Sequence, residues 1–332
     1  MLRWLARMQN VLFLRRFVAR LLRSPARPGA MAAMKQLLLA ALLIVSACAT
    51  AQAASPGCPP AGYDRARLNG LSAAQWRIAD DSARNALARS MLACLADPDT
   101  TYRDGLAFEA LQHWMRADQL SHETLLAIGD ELQGWLTAPE GEGFRRPFAA
   151  LILAEVARTD RIHPWLTAPR RQSLLDASVA YLTNVRDYRG FDDHDGWRHG
   201  VAHGADLMVQ LSLNPAFGKP ELMRIREAVA SQISPAGHFY IYGEPGRLSA
   251  AIIYMAQRKV FTADEWAAWL TQVASPAPLA SWNDAFTHNA DIARAENVGA
   301  FMRALYINTK LDANADDDVL LPGVEAALRS LP

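Results

Sequence analysis

The sequence predicts an all-α fold: an α–α superhelix of about ten helices in hairpin pairs, built as a single domain. Three observations predict it. From Ser72 onward apolar residues recur at three- and four-residue spacing. Helix start and stop signals cut those runs into pieces of helical length. Strand-like composition is confined to "HFYIYG" (His238–Gly243), which is too short and isolated to build a sheet. With 51% hydrophobic and 20% charged residues over 332 positions, the chain has enough apolar matter for one sizeable core.

The elements follow in order. "SAAQ" (Ser72–Gln75) has the form of a capping box, with Ala83, Ala86, Leu87, Ser90, Met91 and Cys94 after it at helical spacing. Asp97-Pro98 stops that run, and Leu106, Ala110, Leu111 and Trp114 mark one face of a new helix. Ser121 caps the next, with Leu125, Ile128, Leu132, Trp135 and Leu136 inside. Phe148 to Val156 and Leu174 to Leu182 repeat the pattern. A helix is expected to start at Asp195 or Gly196 and to end at Asn214-Pro215. Further helices begin at Pro220 and run near Arg247–Gln257. "TADE" (Thr262–Glu265) is a second capping box, leading to Trp266, Trp269 and Leu270. A long segment spans Asn289–Leu311, and Pro322 suits the first position of a last helix.

Helices without alternating strands leave two architectures, an α-solenoid or a closed α/α barrel. "ACLADPDTTYRDGLAFEAL" resembles the Asp-Pro start of a HEAT-type repeat. No clean self-similarity recurs at a fixed period, so the repeats of the expected superhelix are degenerate.

The zero net charge conceals an uneven distribution. Residues 1–53 hold no Asp or Glu but carry Arg3, Arg7, Arg15, Arg16, Arg20, Arg23, Arg27 and Lys35, leaving the remainder with an excess of eight acidic residues. That balance argues against nucleic acid as a partner. "MAAMKQLLLAALLIVSACATAQA" accounts for part of the asymmetry. Lys35 supplies a basic start, Leu37 to Val45 an apolar run too short for a bilayer span, and Ala51-Gln52-Ala53 the small-x-small cleavage pattern. The expected division is a leader over 1–33, from a start assigned upstream of Met31 or Met34, and a signal peptide over 34–53. An N-terminal extension over 54–71 and the helical domain over 72–332 follow. The expected compartment is secreted or periplasmic. "VSAC" also resembles a lipobox, so the alternative is a lipoprotein anchored through Cys48. Membrane contact is expected only through a lipidated Cys48 or an uncleaved signal. Export leaves Cys58 and Cys94, which then form one disulfide or stay as two buried thiols.

The stretch "DDHDGWRHGVAHGADLMVQL" (Asp192–Leu211) carries the candidate site. On a helix, His199, His203, Asp206 and Gln210 share one stripe, while Gly200 and Gly204 form another that admits a neighbouring helix. Three readings compete. In the first, these side chains are satisfied core groups. In the second, His199, His203 and Asp206 ligate zinc or another divalent metal, with Asp192, Asp193, His194 and Asp195 as reserve ligands. Gly200 stands where a zincin has its glutamate, so the metalloprotease motif is absent. In the third, a metal-free pocket uses His203 and Asp206 as a catalytic pair near neutral pH, Trp197 as a stacking wall and His199 as a ligand contact. Asp187 and Arg189 from "DYRGF", and Glu244 and Arg247 from "YGEPGRL", are expected around the same pocket. "SWNDAF" (Ser281–Phe286) with His288 is a weaker candidate. There is no Gly-rich phosphate loop and no Gly-x-Ser-x-Gly elbow.

"RDYRGFDDHDGWRHGVAHGADLMVQL" resembles the signature of a bacterial domain family of unknown function, DUF2785. Its Asp-x-Arg-Gly-(Phe/Tyr) element falls on Asp187, Arg189, Gly190 and Phe191. Its Gly-Trp-x-His-x-x-Ala-His-x-Ala-Asp-Leu element falls on Gly196, Trp197, His199, Ala202, His203, Ala205, Asp206 and Leu207. "RDGLAFEALQHWM" and "GEPGRL" also resemble it, extending the likeness over about residues 70 to 310. The resemblance implies an ARM/HEAT-like helical fold and no particular activity. The signal and the Cys58/Cys94 pair are departures that suit export. The function expected is therefore an exported ligand-binding protein or scaffold for a small molecule, glycan or peptide. The alternative is a hydrolase, metal-dependent or using a His–Asp base, acting on an envelope substrate.

Overall fold

A computed structural model of the chain describes residues 57–332. The leader, the signal segment 34–53 and Cys48 lie outside the described residues. No helix among the described residues is long and apolar enough to cross a membrane.

The all-α class holds. The described residues form twelve α-helices: α1 (Arg65–Ala73), α2 (Asp81–Ser90), α3 (Glu109–Arg116), α4 (His122–Thr137), α5 (Arg145–Ile162), α6 (Ala168–Asn184), α7 (Gly200–Leu213), α8 (Lys219–Ala230), α9 (Glu244–Ala256), α10 (Ala263–Val273), α11 (Asn289–Leu311) and α12 (Leu321–Ser330). A wide π-helical segment, Thr101–Phe108, runs into α3. The two strands, β1 (Phe191–Asp192) and β2 (Gly196–Trp197), make a minimal antiparallel ribbon ahead of α7. Sequence periodicity gives no warning of it, because two-residue strands carry no pattern.

Two rows of helices contain most of the packing. The helices α3, α5, α7, α9 and α11 pack each on the next, and α4, α6 and α8 do the same beside them. Helix α7 is the hub, gripped between α5 and α9. Its mean composition explains this: Val201, Ala202, Ala205, Leu207, Met208 and Leu211 are all buried, so it is apolar on most sides and must be enclosed. The expected glycine stripe serves the close approach of α6. A Cβ on Gly204 would stand 2.9 Å from Leu182 Cδ1 and 3.2 Å from the Tyr181 ring. Where α5, α6 and α7 meet, buried Asp160 accepts from the Trp165 and Leu166 backbones, Arg171 and Asn214, so a buried charge is fully partnered.

Several local expectations hold and two fail. Ser121 caps α4 through the Thr124 amide, and Thr262 and Glu265 form the reciprocal box on α10. The box expected at Ser72 does not form. Ser72 lies at the end of α1, which Asp64 caps through the Arg67 amide. The chain then turns through Gln75 and Trp76, both at φ +55°, and α2 restarts under the Asp80 cap. A carboxylate that reaches its own N3 amide wins the helix start at both places. Pro322 stands one residue inside α12, not at its first position. Cys58 and Cys94 are joined in a disulfide.

Candidate functional site

The ribbon decides the geometry. Asp192 Oδ1 accepts from the His194 and Asp195 amides, so the acidic run is a turn that caps itself. His194 sits on Asp195 at 2.6 Å, and that contact pushes the exposed imidazole up. These four residues form a solvated turn, not a reserve of metal ligands. The returning strand is fixed from below: Arg198 bonds the Glu142 carbonyl and Asp195, and Arg103 reaches the Asp195 carbonyl at 2.7 Å. Gly190 makes room for Tyr242, whose ring would meet an added Cβ at 2.0 Å.

Helix α7 therefore starts later than expected. His199 is its N-cap, in the left-handed region at φ +58°. His199 and His203 still project to one side, with rings 5.7 Å apart in an edge-on arrangement. Trp197 stacks on His199 at 4.6 Å, while Phe191 tilts against it at 5.0 Å. The expected stacking wall is thus largely spent on protein neighbours.

Trp197, His199, His203, Asp206 and Arg247 line one cleft of about 610 Å³. Three helices each contribute a stripe. The wide turn and α3 bring Asp104, Phe108, Gln112 and Arg116; α5 brings Phe148, Leu151 and Glu155; α7 brings His203, Asp206 and Gln210. Tyr242 and Arg247 close the side at the start of α9. The sequence reading missed the first stripe, although its residues recur every four positions. The same spacing describes an ordinary solvated helix face, and only packing tells the two apart.

Each acid of this cleft is partnered. Asp104 lies 2.8 Å from Arg103, a fully buried cation stacked over Phe144. Glu155 is gripped by Arg116 through Nε and Nη2 and by Gln112. Asp206 pairs with Arg247. Burial pushes the Asp104 and Asp206 carboxyls above their ordinary range, against the pull of those arginines. The histidines respond in the opposite sense. Burial, reinforced by His199, pushes His203 down to about 3, and its Nδ1 lies 3.2 Å from the Pro147 carbonyl. Burial and the nearby Arg247 push His199 down to about 4. His199 is favoured in its charged form by the nearby Tyr242 backbone, but that influence does not prevail. Its Nε2 is buried without a hydrogen-bond partner, 3.9 Å from Glu244 Oε1.

Five expectations are corrected by this geometry. Asp206 turns to Arg247 instead of orienting His203, so the catalytic pair is not assembled. An imidazole held near 3 is also a poor base at neutral pH. The metal triad fails as well: among the described residues no group of three or more His, Cys, Asp and Glu side chains is placed to hold an ion. Glu244 is buried behind His199, accepting from the Tyr242 amide, and does not line the cleft. Asp187 and Arg189 chelate one another and line a different cleft. "SWNDAF" forms a 3₁₀ turn, Trp282–Thr287, whose Asp284 caps it through Ser281. It shares no residue with either cleft.

Over residues 137–307, just over half its length, the chain matches a family described as "Protein of unknown function (DUF2785)". It belongs to that family. No curated protein and no solved structure matches it. The matched DUF2785 region runs from the end of α4 into α11. It includes the α5, α7 and α9 walls of the cleft and stops short of the Asp104–Arg116 stripe.

Proposed function

We propose that this DUF2785 protein is an exported binding protein for a small neutral, hydroxyl-rich ligand such as a glycan fragment, held in the cleft of His199 and Asp206. The observation that carries this reading is the cleft lining, where Asp104, Glu155 and Asp206 are each already paired with an arginine beside the neutral His199 ring. The acids and arginines favour a neutral guest. Each is already neutralised inside the protein, so a charged ligand must break a pair, whereas hydroxyl groups can use the remaining lone pairs and N–H groups. Half-buried Phe108 and Tyr242 offer ring surface for the apolar face of a sugar. A volume of about 610 Å³ suits such a guest. Export rests on the signal-like pattern of residues 34–53 together with the disulfide.

The test is calorimetric titration with glucose, N-acetylglucosamine and their short oligomers, beside glucuronate. Saturable binding of a neutral member, with the charged analogue at least tenfold weaker, supports the reading. Binding of glucuronate alone sinks it.

A second reading, glycan hydrolysis, has one observation in its favour. Asp104 and Asp206 both hold their protons above the ordinary carboxylate range, as a general acid requires. It would replace the His203–Asp206 pair with carboxylate chemistry. Release of reducing ends from the oligomers that bind, lost in Asp206→Asn while binding persists, would establish it; intact oligomers after prolonged incubation would dismiss it.

A further inference from the structure

A second cleft, of about 650 Å³, lies between the end of α4, the start of α5, the end of α6 and the segment before the ribbon. Consecutive residues divide between the two clefts: Phe148 and His199 line the first, Pro147 and Gly200 the second. Its chemistry differs. Leu136, Pro147, Ala180, Tyr181 and Val185 make apolar walls, and the Tyr181 hydroxyl is committed to the Gly200 carbonyl.

Five charged side chains rim it, and their pairing is uneven. Asp187 is consumed by Arg189. Glu140 spends its carboxylate on the backbone amides of Gly141, Arg145 and Arg146, at the start of α5. Arg146 and Arg186 are left. Arg146 is held through Nε and Nη2 by the Ala138 carbonyl. Arg186 is held through Nη1 by the Thr183 and Val185 carbonyls. Among the described residues neither forms an ion pair with a carboxylate. Neutral carbonyls orient a guanidinium without cancelling its charge, just as neutral amides leave Glu140 its own, so the two cations keep the rim one charge positive over an apolar floor.

We propose that this second cleft binds an amphipathic organic anion: a carboxylate carried on an alkyl or aryl body. The body fills the apolar walls, and the carboxylate takes the free N–H groups of Arg146 and Arg186. Burial of the body supplies affinity, while the two arginines select charge. This site is independent of the saccharide reading of the first cleft.

Octanoate, 1-octanol and inorganic phosphate are the probes, titrated by calorimetry into the full chain. Octanoate is expected to bind saturably, at least tenfold tighter than 1-octanol, with phosphate weaker than either. Arg146→Gln/Arg186→Gln should erase the margin over 1-octanol. Because Arg146 pins the Ala138 carbonyl and Arg186 the Thr183 and Val185 carbonyls, each variant is checked for native urea unfolding, and Arg186→Gln alone should lose about threefold or more. Ala180 is exposed on the cleft wall, so Ala180→Trp should fill the space and abolish octanoate binding without disturbing the core. Equal binding of octanoate and 1-octanol, retention of the margin in the arginine variants, phosphate binding as tight as octanoate, octanoate binding unaffected by Ala180→Trp, or no saturable octanoate binding would each overturn the proposal.

Discussion

Two imidazoles one helical turn apart show how far burial can move chemistry away from what residue type suggests. His203 and His199 are held down to about 3 and about 4, from an ordinary 6.5, because little solvent reaches them and positive charge stands nearby. The unfolded chain takes up their protons as pH falls through 6.5, while the folded chain refuses them until about 4 and about 3. Stability is therefore lost as pH falls across that window, by about 2 kcal/mol per histidine at pH 5. Asp104, Asp206 and Glu244, raised by burial, act in the opposite direction and offset part of the loss. Urea unfolding at pH 7 and pH 5 should show the native protein weakening at pH 5, and His203→Leu should remove about 2 kcal/mol of that difference. An unchanged difference in the variant would mean that His203 titrates normally.

At the scale of the element, most of the helices were legible in the sequence and the path between them was not. A run such as Leu125–Leu136 declares itself because one face is apolar over several turns and Ser121 stands as a cap at the start. The ribbon before α7 is invisible, since two residues per strand make no period. Missing it placed His199 inside a helix, whereas it caps one in the left-handed region. The partners of the site residues were equally hidden. Asp206 could pair locally with His203 or distantly with Arg247, and spacing cannot rank a contact made across 41 residues. The glycine stripe was readable, and two glycines test its meaning. Gly204→Ala should destabilise by about 1–2 kcal/mol, because the added methyl meets Leu182 and Tyr181 across the α6–α7 contact. Gly134→Ala, in an exposed position of α4 with nothing within 4 Å, should instead stabilise by about 0.5–1 kcal/mol. Equal effects at both sites in thermal unfolding would show that α6 does not rely on Gly204 for its approach.

For the whole molecule, the row α3–α5–α7–α9 aligns four helix faces into one lining, which is why a cleft forms from residues as distant as Asp104 and Arg247. The disulfide secures the N-terminal edge of this assembly, tying Cys58 to fully buried Cys94 across a separation of 36 residues. Its loss in Cys58→Ala/Cys94→Ala should cost about 3–4 kcal/mol, read from urea unfolding in the absence of reductant. The central claim concerns the cleft, and one titration reaches it most directly. The tightest neutral saccharide would be measured against native protein and His199→Asn, since Asn accepts the left-handed backbone but removes the ring from the cleft wall. The account predicts native binding with about three- to tenfold weaker affinity in the variant, as expected for loss of one ring contact, and a folded variant. Equal affinity in both proteins, or no neutral saccharide bound by either, would contradict it.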